Sequence, residues 1–152
     1  MTEIGGKIPS ITLLDHLENK VEMANITHPA VIYFYPKADT PGCTKEGQQF
    51  TEKFDDFTSL GVNIYGVSKD KPAKLEKFAA KYDFKHHLLS DEESNFTEEM
   101  GVWVEKNMYG RKYMGIERAT FLTDKSGKIA QIWRKVKVKD HAEAVLEAAK
   151  GL

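Results

Sequence analysis

The stretch AVIYFYPKADTPGCTKEGQQF, residues 30–50, decides how this chain is read. Ala30 to Tyr35 is a continuous apolar and aromatic run, the composition of a strand buried on both faces, and Pro36 stops it. Beyond it Phe50, Phe54 and Phe57 recur at helical spacing on one side, so the pattern predicts a helix from Cys43 that ends at Ser59-Leu60-Gly61. The only cysteine of the chain therefore falls at a strand–loop–helix junction. With Thr40 as N-cap, Pro41 occupies the first helical position, where a fixed φ and a missing N–H cost nothing. Gly42 and Cys43 follow. The Thr40 hydroxyl is expected to accept from the Cys43 backbone N–H and to keep its own proton free for the sulfur. The helix dipole and the unpaired first-turn N–H groups favour negative charge, which positions the sulfur to be a thiolate. A small core residue or an inert surface thiol also satisfies this pattern, and so does a turn that merely precedes a helix.

Working outward, ITLLDHLENKVEMANI reads as two short extended pieces around Glu18-Asn19-Lys20, an N-terminal hairpin. Val62 to Ser68 is the next strand, and Pro72 opens a second helix with Leu75, Phe78, Ala79 and Tyr82 on its core side. HHLLS is a short third strand, and DEESNFTEEMGV begins a short helix with a solvated acidic start. ATFLTDKSGKIAQIW reads as a hairpin turning at Asp124-Lys125-Ser126-Gly127. WRKVKVKD reads as an extended edge whose lysines discourage strand pairing, and the last helix, about Asp140 to Ala149, turns Ala144, Val145 and Ala148 inward. Strands alternating with helices imply α/β layers on a mixed central sheet, where ligands bind at the carboxyl ends of strands. Cys43 lies there.

The composition bounds the rest. A chain of 152 residues, 41% hydrophobic, is expected to form one domain over 1–152 and to bury roughly 70% of its unfolded surface. A net charge of −1 gives no reason to expect nucleic acid, and no apolar stretch suits a membrane span. One cysteine excludes an intramolecular disulfide and a multi-cysteine metal site, so no metal or cofactor is expected, and a reducing cytoplasm is the default compartment. The five histidines, His16, His28, His86, His87 and His141, fall in no catalytic or metal-binding motif. His86 and His87, adjacent in extended chain, face opposite sides and read as surface or strand-end residues. Trp103 and Trp133 read as core.

Pro36, Thr40 and Cys43 form Pro-x-x-x-Thr-x-x-Cys, and FYPKADTPGCTKE resembles the active-site segment of peroxiredoxins, specifically the bacterioferritin-comigratory-protein or peroxiredoxin Q subgroup. GVWVEKNMYGRKYMGIERATFLTDKSGKIAQIWRKVKVKDH resembles that subgroup's C-terminal half. The resemblance implies a thioredoxin-like α/β fold, a monomer, and a peroxidase of antioxidant defence that reduces hydrogen peroxide and alkyl hydroperoxides through a cysteine sulfenic acid. It implies that Cys43 is the peroxidatic thiol, that Thr40 hydrogen-bonds the peroxide, that Pro36 shields the site and that an arginine stabilises the thiolate and the transition state. Of three arginines, Arg118 in GIERATF matches the family position; Arg111 lies in a Gly/Tyr loop and Arg134 in a basic run. Glu46, one helical turn after Cys43, is either an ion-pair partner that orients Arg118 or an ordinary first-turn acid favoured by the dipole.

The chain departs from the subgroup at the second sulfur. The positions where members carry a resolving cysteine hold Gln48 and the neighbourhood of Phe78. An external thiol is therefore expected to close the cycle, with glutathione, glutaredoxin and thioredoxin as candidates. A glutaredoxin-like thiol transferase is the nearest rival, but that pattern places a cis-proline just before the late hairpin strand, where this chain reads Arg118-Ala119-Thr120. A binding or chaperone-like domain with an incidental thiol is the other.

Overall fold

In the computed structural model, which describes residues 2–152, the apolar run at Ala30 lies well inside a seven-stranded sheet. The elements in order are β1 (Thr12–Asp15), β2 (Lys20–Glu22), a 3-10 turn (Met23–Asn25), β3 (Ala30–Phe34), α1 (Pro41–Glu52), α2 (Phe54–Ser59), β4 (Asn63–Ser68), α3 (Pro72–Tyr82) and β5 (His87–Ser90). Then come α4 (Phe96–Glu99), β6 (Trp103–Met108), β7 (Arg111–Ile116), β8 (Ala119–Thr123), β9 (Ile129–Trp133) and α5 (His141–Lys150). The sheet order is β2-β1-β5-β4-β3-β8-β9, with β3, β4 and β5 mutually parallel and the other pairings antiparallel. This is the mixed sheet flanked by helices, with the N-terminal hairpin added at its edge.

Every residue of β3 is buried, and its alternation divides two cores. Ile32 and Phe34 pack with Phe96, Met100, Val102 and Phe121 on one face. Val31, Tyr33 and Tyr35 pack on the other with Phe50, Phe57, Phe78 and Val145 from the helices. Tyr33 stacks on Phe50 with ring centroids 4.6 Å apart and shares a 2.6 Å hydrogen bond with His86. His86 is thus a core residue, not a surface one, and burial pushes its pKa down to about 3. His87 faces the opposite way, exposed.

Four further readings are corrected. The single helix after Cys43 breaks at Lys53 into α1 and α2, which keeps Phe50 and Phe57 fully buried and leaves Phe54 at the margin. On α5 the inward stripe is His141, Ala142, Val145, Leu146 and Ala149, while Ala144 is exposed and Ala148 half-buried. The larger Leu146, and His141 bonded to Thr120 at 2.8 Å, fix the rotation that a run of alanines leaves open. WRKVKVKD leaves the sheet after Trp133, because Arg134 bonds the Glu117 carboxylate at 2.9 Å and the Gly101 carbonyl at 2.6 Å. The supposed loop around Arg111 is the β6–β7 hairpin, turning through Tyr109 and Gly110.

Helix α1 lies close against the segment after α3. A Cβ on Gly47 would sit 2.4 Å from the Phe84 ring, so this contact requires glycine. Gly47→Ala is expected to destabilise the fold by about 1–3 kcal/mol through overpacking. A lowered urea midpoint checks it, and Phe84→Leu in the same chain should recover part of the loss.

Candidate active site

Strands β3 and β8 are antiparallel, and Phe34 at the end of β3 pairs with Ala119 at the start of β8. The loop leaving β3 and the residue preceding β8 therefore meet at one end of the sheet, although 75 residues separate Cys43 from Arg118. Arg118 points its fork into the first turn of α1. Its Nη2 donates to Cys43 Sγ at 3.4 Å and its Nη1 to Glu46 Oε1 at 2.7 Å. Cys43 and Glu46, three apart on a helix, present one face, so a single guanidinium reaches both. Gly42 leaves the necessary room: a Cβ there would lie 3.1 Å from Nη2. Of the three arginines, Arg111 is exposed at the hairpin and Arg134 is tied to Glu117; Arg118 is the one beside the sulfur.

The thiol is nearly closed off, with Cys43 2% exposed, and Pro36 lies partly buried at the start of the loop. Glu46 has no exposed surface, and its Oε2 has no hydrogen-bond partner. Burial pushes its carboxyl pKa up to about 7, against the opposing pull of Arg118. The ion pair is thus made at the expense of dehydrating a carboxylate, which marks it as an arrangement built for position more than for net stability.

The loop is held from both sides. Asp39, in the left-handed region at φ 60°, receives Tyr82 Oη at 2.8 Å and Lys81 Nζ at 3.0 Å from α3. The Ala38 N–H donates to Asp70 Oδ2 at 2.7 Å, at the end of β4. Asp70 was not singled out from sequence; an aspartate two residues past a buried strand, on the sheet end that carries the cysteine, is the signal that marks it. Thr40 corrects the expected cap. It is the N-cap by backbone, but its side chain makes no capping bond and its hydroxyl donates to the Lys37 carbonyl at 2.8 Å. The Pro36–Asp39 loop curls tightly enough to bring the carbonyl three residues back within reach, and the rotamer that donates the hydroxyl proton to it leaves the helix amides without a bond to the hydroxyl oxygen. The hydroxyl's lone pairs stay available at the mouth, as do first-turn amides of α1.

Lys106 on β6 is the other residue that the sequence pattern does not mark, because β6 and β7 do not alternate cleanly between apolar and polar. Burial, and then the positive charge of Arg118, lower its pKa, while Cys43 raises it, so the ammonium lies within electrostatic reach of the sulfur. A concavity of about 340 Å³ beside it is lined by Pro36, Trp103, Lys106, Tyr113, Met114 and Ile116.

The state of Glu46 couples the site to pH. Its folded pKa of about 7 exceeds the ordinary 4.5, so the stability linked to its protonation is complete below about 4.5 and is lost as pH rises through about 7. Glu46→Gln carries no such slope. Between about pH 5 and pH 8 the stability of Glu46→Gln relative to wild type is expected to shift in the variant's favour by about 1–3 kcal/mol, read by urea denaturation at both pH values.

Comparison with known proteins gives the family of the chain. The profile of the AhpC/TSA family matches residues 4–132. Peroxiredoxin Bcp of Bacillus subtilis strain 168 is 42% identical over 151 residues, covering 99% of this chain and 96% of that protein. Peroxiredoxin Bcp of Xanthomonas campestris is 47% identical over 127 residues, covering 84% of this chain and 79% of that protein. A structure of Xanthomonas campestris peroxiredoxin Q superposes with a TM-score of 0.90 at 41% identity, covering 99% of this chain and 96% of that one. A further structure of the bacterioferritin comigratory protein from that organism, described with its alkyl peroxide reduction activity, gives a TM-score of 0.90 at 40% identity, covering 99% and 97%. A chain this similar over its whole length, with a cysteine at a helix start beneath an arginine, belongs to the AhpC/TSA family and is a thiol peroxidase of the Bcp or peroxiredoxin Q type.

Proposed function

We propose that the chain reduces hydrogen peroxide and alkyl hydroperoxides by a one-cysteine cycle, and the contact of one guanidinium with both Cys43 and Glu46 carries this reading. Cys43 thiolate attacks the nearer peroxide oxygen. The S–O bond forms as the O–O bond breaks, the leaving oxygen takes a proton and departs as water or alcohol, and the sulfur is oxidised to sulfenic acid. A first external thiol condenses with the sulfenic acid, releasing water and leaving a mixed disulfide. A second thiol then releases Cys43 and carries away the oxidised disulfide. Structures of Xanthomonas campestris peroxiredoxin Q include serine variants at two different cysteines, whereas this chain has one.

The roles follow from what each group offers. Arg118 donates to the sulfur and to charge developing on the peroxide. Glu46 is a positioning residue that holds the guanidinium. Thr40, its proton engaged on Lys37, accepts the hydroperoxide O–H and so orients the O–O bond; Pro36 keeps bulk water off the sulfur. Magnitudes rank these effects. An ordinary thiol is already a few per cent ionised at neutral pH, so complete ionisation contributes at most about 30-fold. A donor aimed at developing charge is worth about 10²–10³-fold. Positioned donors therefore dominate. The reducing cytoplasm is the compartment that supplies such thiols, and a monomer suffices for every step.

Cys43→Ser is expected to abolish peroxide consumption. Arg118→Met is expected to slow oxidation of the reduced enzyme by hydrogen peroxide and tert-butyl hydroperoxide by about 10²–10³-fold through a lost donor, and Thr40→Val by about 10²-fold through lost orientation of the O–O bond, with Thr40→Ser recovering most of the latter. Rapid-mixing fluorescence measures the rates. Mass spectrometry should find sulfenic acid or a mixed disulfide on Cys43; near-normal oxidation of either variant overturns the assignment of roles.

A further inference from the structure

The β6–β7 hairpin stands outside the main sheet and presents an unusual surface. Of the eight large hydrophobic residues that the described chain exposes, four lie here: Met108, Tyr109, Tyr113 and Met114. Tyr109 is 98% exposed at the tip, in the left-handed region at φ 52°. A two-residue turn of this kind favours Asn-Gly or Asp-Gly. An aromatic held there in water costs both strain and exposure, and the fold recovers neither. The hairpin also carries Lys106, Arg111 and Lys112 against one carboxylate, Glu105, in a chain whose net charge is −1. None of these three cations is in an ion pair among the described residues.

The strip runs toward the loop that carries the site, as far as Pro36. A concavity of about 410 Å³ at the tip is lined by Met108, Tyr109, Arg111, Lys112 and Tyr113. Tyr113 also lines the 340 Å³ concavity that reaches Pro36, so one side chain borders both.

We propose that this strip docks the thiol-bearing protein that reduces oxidised Cys43, a partner whose thiol sits in an apolar face ringed by acidic residues. The proposal rests on the reading of Cys43 as a peroxidatic thiol resolved from outside the chain. Reach separates the occupants. The six residues of β7 span about 20 Å from the tip to the site. A small thiol in contact with the sulfur leaves Tyr109 untouched. A protein interface of about 800 Å² per partner is about 30 Å across and covers tip and site together. Charge separates them too: a second copy docking hairpin to hairpin would set unpaired cations against cations, whereas an acidic rim neutralises them. Tyrosine, methionine and arginine are the residues enriched at such surfaces.

Two variants test this with three readouts: Tyr109→Asn, and Arg111→Glu combined with Lys112→Glu. Recycling is driven by reduced thioredoxin, by reduced glutaredoxin, or by dithiothreitol as the small-thiol control; oxidation by peroxide is timed separately. For the protein thiol that supports wild-type turnover, each variant is expected to lose about tenfold or more in kcat/KM, with raised salt eroding the wild-type advantage. Dithiothreitol-supported turnover and the peroxide step should stay within about twofold of wild type, a margin far below the loss expected of a docking residue. Tyr109→Asn should keep or raise the thermal midpoint, since asparagine suits the turn, which excludes misfolding as the cause. The proposal falls if neither protein thiol outpaces dithiothreitol, if the protein-thiol rates are unchanged, if the dithiothreitol arm drops in parallel, or if wild type self-associates and Tyr109→Asn abolishes it. Should peroxide fail to oxidise wild-type Cys43 at all, the peroxidase reading fails first and the docking proposal with it.

Discussion

The antiparallel pairing of β3 with β8 sets everything else at the site. Phe34 opposite Ala119 places the start of one strand beside the end of the other, and no local feature of either segment could do this. A register slip of one residue would turn Phe34 and Phe121 away from the core they share. The register is therefore held by apolar burial on both faces of β3, and the position of Arg118 over α1 is a by-product of that burial. Hydrophobic packing thus fixes a polar geometry, to a tolerance that hydrogen bonds alone do not provide.

Around that geometry the energetics run against stability. Glu46 is fully buried with one oxygen unpartnered, and its raised pKa shows that dehydration outweighs the pull of Arg118. An ion pair kept under those conditions earns its place through orientation: the carboxylate holds one branch of the guanidinium so that the other faces sulfur. The loop below is fastened in the same spirit, by Asp70 on the Ala38 amide and by Tyr82 and Lys81 on Asp39. Those anchors come from β4 and α3, so the site draws on the whole parallel half of the sheet.

Much of this was legible in the sequence because burial leaves a periodic trace. The β3 run, the helix start at Pro41, Pro72 opening α3 and the Asp124 turn are all local patterns, and all stand as read. Arg118 was reachable only through resemblance, since nothing local distinguishes it from Arg111 or Arg134. The failures share a physical cause. The break at Lys53, the rotation of α5, the core position of His86 and the Thr40 hydroxyl on Lys37 are each decided by a tertiary or loop contact with no periodicity. The β6–β7 hairpin is different. Two six-residue runs about a Tyr-Gly pair are a hairpin signal, obscured because the runs do not alternate cleanly between apolar and polar.

That blurred alternation bears on how the hairpin is used. A two-stranded ribbon with a core on one side reads apolar and polar in turn, and this one instead leaves methionine, tyrosine and lysine in water on strands that the sheet does not need for its own closure. The sulfur it flanks is 2% exposed, and no other sulfur of cysteine exists in the chain. A peroxide is small enough to enter a nearly closed site. A thiol on a protein is not, and under the proposed one-cysteine cycle its approach would be guided by surface remote from the chemistry. Closing the site to water and opening it to a partner are conflicting demands on the same few residues. In the docking proposal a ribbon projecting from beside the site meets the second demand without loosening the core that meets the first.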